Sequence, residues 1–235
     1  MIEINQYKIT ENFLYYTFWV TNVFEVECPF YHDIKEDLKT GIYDYWKRDN
    51  SSYEIASNVT LQIKDNLYES RFDFFVESNS TAIQRLGEWC RIQFKYCLEK
   101  FYKNHFKKIK GNTVSVDVER IKMAEVDIHE SWVHITRDRG YHGYHFHPNC
   151  SWCAIFYVDV GSVGKKNGYN NFHRAPRQTY LDSFNQTEAV LSHTFTPKNG
   201  KMIIFPPHMA HEALPYYGDE DRLVIAMNIR ENRRK

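Results

Sequence analysis

Apolar positions recur along this chain with two different periods. Between Asp33 and Lys47, Ile34, Leu38, Ile42 and Tyr45 return at helical spacing, with Gly41 as the weak point of the segment. From Ser80 onward Ile83, Leu86, Cys90, Phe94, Cys97 and Phe101 step by three or four and form one apolar stripe, which predicts a long amphipathic helix ending at Gly111-Asn112. Lys103, Lys107, Lys108 and Lys110 crowd its end, where cations offset the carbonyl pole of the helix; an anion-binding patch is the other reading of the same cluster. Asn12–Val20 has strand composition, and Thr60–Val76 alternates as strands through Leu61, Ile63, Phe72 and Phe74. Beyond Gly111 the period becomes two. Val114, Val116 and Val118 alternate with polar residues, and β-type runs follow at Lys122–Ile128, Trp132–Thr136, Trp152–Val160, Lys201–Phe205 and Arg222–Ile229. Many short strands separated by turn signals predict a mainly β fold with flanking helices, arranged as a sandwich or jelly roll.

No linker-like stretch interrupts the 235 residues, so a single domain is expected over 1–235, with supporting strands and helices in 1–112 and a β core in 113–232. Thirty basic residues balance thirty acidic ones. Such a chain has no positive field for nucleic acid or for an anionic membrane, and neither is an expected partner. The first residues lack a signal-peptide layout and no apolar run reaches the ~18 residues of a spanning helix, so a cytoplasmic location is expected. Five cysteines then read as reduced thiols. Cys150-Ser151-Trp152-Cys153 has knuckle-like spacing without a second pair, and strand parity sends its thiols to opposite faces, so packing is the expected role.

The chemistry concentrates at Tyr144-His145-Phe146-His147-Pro148-Asn149. Two histidines at i and i+2 of an extended segment point the same way and can reach one metal ion. A third, His211, follows Lys201–Phe205 and the turn Pro206-Pro207, with His208 as a competitor in the same turn; Arg222 opens the last apolar run eleven positions beyond His211. A histidine pair, a distant histidine and then an arginine is the linear pattern of a mononuclear iron site with an anchor for an anionic co-substrate. His32, His105, His129, His142, His173 and His193 take the default of structural or surface residues.

Ser131-Trp132-Val133-His134-Ile135, Tyr144–Asn149, Phe156-Tyr157-Val158, Ile204-Phe205-Pro206-Pro207, His211 and Asp221–Ile229 together resemble the 2-oxoglutarate and Fe(II)-dependent oxygenases, in particular a bacterial and phage subgroup with a His-x-His-Pro-Asn motif. The resemblance covers roughly 130–229. It implies a double-stranded β-helix, a cupin-like jelly roll, with iron at its open end. His145 and His211 then take the two histidine positions of the facial triad, His147 the position usually held by a carboxylate, and Arg222 the 2-oxoglutarate anchor. Pro176-Arg177 is similar to an Asp-Pro-Arg of the family, with Ala175 in place of the Asp.

Three protein ligands leave three positions on a ferrous ion, two for the chelating oxo acid and one for dioxygen. The implied reaction is hydroxylation of a small molecule, or of a peptide- or carrier-bound substrate, with release of succinate and carbon dioxide. His147 is not small, so it leaves no vacancy for a halide and favours hydroxylation over halogenation. On strand parity Asn228 shares the face of Arg222 and is a candidate for the cavity wall. Tyr157 is either a second donor to the co-substrate or a buried hydroxyl bonded to a backbone carbonyl, and His134 either a wall of the substrate cavity or a structural hydrogen bond. Two other classes remain open: a non-catalytic metal-binding jelly roll, and a three-histidine zinc hydrolase, for which Glu212 is the evident acid-base neighbour.

Overall fold

The long apolar strands close against one another as two antiparallel sheets of unequal size. The structure is a computed structural model and describes residues 7–10, 13–15, 21–48, 66–107, 125–162, 167–173 and 192–232. In chain order its elements are β1 (Tyr7–Thr10), β2 (Phe13–Tyr15), β3 (Phe24–Glu27), α1 (Tyr31–Arg48), β4 (Leu67–Glu69), α2 (Phe74–Glu77), α3 (Thr81–Lys107), β5 (Glu125–Thr136), β6 (His142–His145), β7 (Trp152–Asp159), β8 (Asn170–His173), β9 (Ser192–Phe195), β10 (Lys201–Phe205), β11 (His211–Ala213) and β12 (Arg222–Asn232). The large sheet runs β3-β10-β7-β12-β5-β4 and the small one β6-β11-β8-β9, while β1 and β2 pair with each other. This is the mainly β, double-stranded β-helix arrangement that the strand pattern and the resemblance imply. Among the described residues no helix is long and apolar enough to cross a membrane.

The helices cover one face of the large sheet. Ile34, Leu38, Ile42 and Tyr45 of α1 and Ile83, Leu86, Cys90 and Phe94 of α3 share one buried cluster with Val133, Ile135, Ala154, Phe156, Val158, Met202, Ile204, Leu223, Ile225 and Met227. The opposite face carries Cys153, Ile155, Tyr157, Ile203, Phe205 and Val224, packed against Phe172 of the small sheet. A strand covered on both faces has no solvent side, so β7 reads as an unbroken apolar run. α1 is also pinned by polar contacts: the Tyr31 hydroxyl donates to the Val158 carbonyl at 2.6 Å and Lys39 Nζ to Asp159 at 2.9 Å.

Two sequence expectations change. Phe74 lies in the helical turn α2, not in a strand, because Phe74 and Phe75 are both buried and adjacent residues of a one-faced strand cannot both turn inward. The Asp73 carbonyl accepts from Val76 N and Glu77 N at 2.9 and 2.8 Å, which closes the turn. Of Thr60–Val76 only Leu67–Glu69 is a strand among the described residues. The runs Lys122–Ile128 and Trp132–Thr136 belong, from Glu125 on, to a single strand, β5, whose polar His129 and Glu130 interrupt the apolar pattern without breaking the pairing to β12. Leu61, Ile63, Lys108, Lys110, Gly111, Val114–Val118 and the Ala175-Pro176-Arg177 segment lie outside the described residues.

Gly200 tests the packing of α1 on the sheet. It sits at φ +77°, donates to the Tyr157 carbonyl at 2.9 Å and accepts from Cys28 N at 2.8 Å, and a Cβ there would lie 2.6 Å from Tyr31 Cγ. Gly200→Ala combines a left-handed residue with an overpacked ring, and is expected to lower stability by about 2–4 kcal/mol in urea unfolding. A change of a few tenths would show that the turn relaxes freely.

Candidate metal centre

Pairing between β6 and β11 places His145 directly opposite His211. Their rings lie 4.2 Å apart, and His147, just past the end of β6, stacks on His211 with centroids at 5.1 Å and an interplanar angle of 15°. Along 144–147 the inward histidines alternate with outward aromatics, Tyr144 and Phe146 being exposed, as an extended segment requires. One ligand atom from each of His145, His147 and His211 lies within 4.8 Å of the others. His208 is exposed and is not in this group.

Hydrogen bonds set the tautomers. His145 Nδ1 meets the Gly143 carbonyl at 2.7 Å, and His211 Nδ1 meets the Met209 carbonyl at 3.1 Å. A carbonyl only accepts, so each Nδ1 carries the proton and each Nε2 turns a lone pair inward. His147 Nε2 faces His211 Nε2 at 3.4 Å. Two nitrogens about 2.1 Å from one ion at a tetrahedral angle would stand about 3.4 Å apart, so the spacing suits a shared ion. Burial holds all three imidazoles neutral. It pushes His211 well below the ordinary range with help from His145 and His147, lowers His145, and brings His147 down to about 3 with help from His145 and His134. Neutral imidazole is the form that binds metal. Trp132 covers His147 at 5.6 Å, and Phe172 and Phe205 enclose His211 at 5.4 and 4.7 Å.

Arg222 opens onto the same cleft, whose volume is about 420 Å³ including its mouth. The side chain is fully buried, with one NH2 group donating to Asn170 Oδ1 at 3.0 Å and Nε left without a partner. Among the described residues no carboxylate pairs with it; the guanidinium lies over the Tyr157 ring at 5.6 Å. Gly168, at φ +61°, leaves room for the side chain, since a Cβ there would come within 3.1 Å of Arg222 Cδ. A buried, unpaired cation beside three converging lone pairs fits an anionic chelator that bridges them. Three neutral imidazole donors likewise fit a divalent transition metal.

The remaining sequence candidates fall in different places. His134 lines the cleft, its Nε2 2.6 Å from Glu69 Oε2 and 3.1 Å from Trp132 Nε1. The Tyr157 hydroxyl is not bonded to a backbone carbonyl: it donates to Asn170 Oδ1 at 2.7 Å and thereby orients the amide that also receives Arg222. Asn228 is buried but does not line the cleft; its amide donates to Glu130 at 2.6 Å. Glu212 turns to the other face of β11 and binds His173 at 2.8 Å. The thiols of Cys150 and Cys153 do not diverge: they lie 3.6 Å apart, because β7 begins only at Trp152 and strand parity does not extend back to Cys150. Asn170, His142 and Glu69 were not singled out as site residues. An Asn on a short strand, a histidine one step outside the motif and a distant glutamate carry no local signal.

Residues 130–228 match the model of a family described as "Putative 2OG-Fe(II) oxygenase". No curated protein matches the sequence. Among solved structures, a prolyl hydroxylase from Trichoplax adhaerens, in complex with a hypoxia inducible factor oxygen degradation domain peptide fragment, is similar with a TM-score of 0.56 and 12% identity over 89% of this chain and 83% of that one. The non-heme alpha ketoglutarate dependent carbocyclase SnoK from nogalamycin biosynthesis aligns with a TM-score of 0.57 and 9% identity over 90% and 80%. HygX from Streptomyces hygroscopicus, with iron bound, gives 0.50 and 10% over 89% and 82%. Residues 130–228 thus match a 2OG-Fe(II) oxygenase domain, a kind of oxidoreductase that uses Fe(II) and 2-oxoglutarate as cofactors.

The neutral histidines set a pH dependence for metal-free protein. His147 has a folded value of about 3 against an ordinary 6.5, so between those values the unfolded chain binds a proton that the folded chain does not. Stability therefore rises with pH across that window, and is fully present above it. The urea midpoint of metal-free protein is expected to fall as pH drops from about 7.5 to 5, and His147→Leu to make that slope shallower. A slope unchanged in the variant would mean that His147 is protonated in the folded state.

Proposed function

We propose that this protein hydroxylates an unactivated C–H bond of a small-molecule or peptide-borne substrate, converting 2-oxoglutarate to succinate and carbon dioxide. The observation that carries the reading is Arg222: a buried guanidinium with an unpartnered Nε, opening onto the cleft that His145, His147 and His211 line. In this reading His145, His211 and His147 hold the iron, the last in the position usually filled by a carboxylate. The His-x-His-Pro-Asn sequence is what assigns the chain to a bacterial and phage subgroup. The iron supplies activation of dioxygen, and the protein supplies placement.

Arg222 binds the distal carboxylate of 2-oxoglutarate through paired N–H donors, a geometry that a planar guanidinium is built for. Asn170 and Tyr157 keep the guanidinium at its post, because one amide oxygen accepts from both at 3.0 and 2.7 Å. The carbonyls of Gly143 and Met209 hold the two imidazoles in the tautomer that presents Nε2. Phe172, Phe205 and Trp132 exclude water from the ligand nitrogens. His134 lines the substrate side of the cleft. We take 1–235 as one domain in which 1–112 supports the β core, and a reducing cytoplasm suits its free thiols.

A non-catalytic jelly roll is the second reading, and an uncovered buried arginine weighs against it, since a purely structural site has no use for an anion anchor. Glu212, bound to His173, is not available as the general base of a zinc hydrolase.

Anaerobic addition of Fe(II) and 2-oxoglutarate to metal-free protein is expected to produce the visible charge-transfer band of the chelate, and oxygen should then release succinate. His211→Ala should abolish both. Arg222→Met should retain iron and weaken 2-oxoglutarate by about ten- to a hundredfold, the worth of one charge-assisted bond; Arg177→Met should do less. Unchanged 2-oxoglutarate affinity in the Arg222 variant would assign the anchor elsewhere, and iron binding without any succinate would favour the non-catalytic reading.

A further inference from the structure

A second ligand cluster stands beside the three histidines. Glu69 Oε2, His134 and His142 each offer one donor atom, and these lie within 4.8 Å of one another. Glu69 and His134 are cross-strand partners in β4 and β5, and His142 approaches from β6 of the other sheet, so the group bridges both layers of the fold. His142 packs against His145 with ring centroids 4.1 Å apart, which makes the two clusters direct neighbours. His134 and His142 both line the cleft.

We propose that Glu69, His134 and His142 bind a second divalent transition-metal ion next to the one held by His145, His147 and His211. Three observations lead there. The Glu69 side chain is only 7% exposed, and among the described residues no lysine or arginine pairs with it; the groups facing it are His134 at 2.6 Å and His142 at 3.6 Å. A carboxylate removed from water needs a cation. The hydrogen bonds around His134 do not close with protons alone: Nε2 meets Trp132 Nε1, which only donates, and the Glu69 carboxylate, which only accepts. A proton on Nε2 satisfies Glu69 and opposes Trp132, and a lone pair does the reverse. A metal ion would take the lone pairs of His134 and His142 together with the charge of Glu69, and the Trp132 N–H would then need an acceptor other than Nε2.

The third observation is the donor set itself. Two imidazoles and one carboxylate are the ligands with which proteins hold ferrous iron with open positions, and with which they hold catalytic zinc. The His142-to-Glu69 separation of 3.6 Å suits donors about 2.1 Å from one ion, and Glu69 must turn outward by roughly 0.5–1 Å from His134 to do the same. Glu69 lies outside the segment matched by the family model. Its negative charge offsets the repulsion between two neighbouring dications, which the three neutral imidazoles next door do not.

The test is an anaerobic titration of full-length, metal-free protein with Co(II), followed by metal analysis after desalting and by the visible d–d spectrum. Wild type is expected to retain two ions per chain, Glu69→Gln one, His142→Ala one, and His211→Ala one. The wild-type spectrum should equal the sum of the Glu69→Gln and His211→Ala spectra. Circular dichroism checks that each variant is folded, and the isosteric Glu69→Gln separates ligand loss from packing loss. One ion in wild type, kept by Glu69→Gln and lost by His211→Ala, would overturn this proposal while leaving the iron reading in place. One ion kept by His211→Ala and lost by Glu69→Gln would uphold the Glu69 site and overturn the three-histidine assignment instead.

Discussion

The pairing of β6 with β11 brings together two histidines separated by more than sixty residues, and the candidate chemistry of the protein hangs on that register. His145 and His211 face each other as Cα partners, and each ring is turned by a carbonyl two residues away in its own chain, Gly143 in one case and Met209 in the other. A slip of one residue would send one ring to the opposite face of the small sheet, because strand side chains alternate. The register is held by what surrounds it: His211 also pairs with Phe172 across β8, and Phe172 and Phe205 pack against its ring.

The large sheet performs a different task. β12 is its central strand, paired to β5 along its length and to β7 on the other side, and its first residue is Arg222. Central strands resist displacement, so an arginine placed there is carried into a dry interior and held. Burial alone would push such a group toward neutrality, and lowers Arg222 from its ordinary value. The Asn170 oxygen and the Tyr157 ring compensate only in part. Rigidity in the sheet and incomplete compensation of the charge together leave a buried guanidinium whose Nε has no partner among the described residues.

The helices contribute no ligand among the described residues, yet their packing decides where the sheets lie. α1 and α3 cover the outer face of β7, β10 and β12 with aliphatic and aromatic side chains, so the large sheet has no solvated face over most of its centre. The side facing the small sheet is then free to hold polar groups in a shared cleft. Glu69, on the edge strand β4, reaches His134 and His142 at the wall of that cleft, and so a carboxylate stands near a set of histidines that contains none.

Local pattern determined a good deal about this protein. The helical stripes of α1 and α3, the runs that became β7, β10 and β12, the His145-x-His147 pair and the arginine opening the last strand can all be read from neighbours within a few positions, because side-chain direction repeats every 3.6 or 2 residues. Tertiary structure decided what depends on contacts far apart in sequence. Glu69 reaches His134 across sixty-five residues, and Asn170 meets Arg222 across fifty-two. α2 forms where the strand pattern pointed elsewhere, since Phe74 packs on Tyr45 of a preceding helix. Cys150 and Cys153 converge because the strand starts only at Trp152, so its alternation does not govern Cys150. In each case a periodic pattern specifies which way a side chain points from its own backbone, and only the closed fold specifies what it meets there.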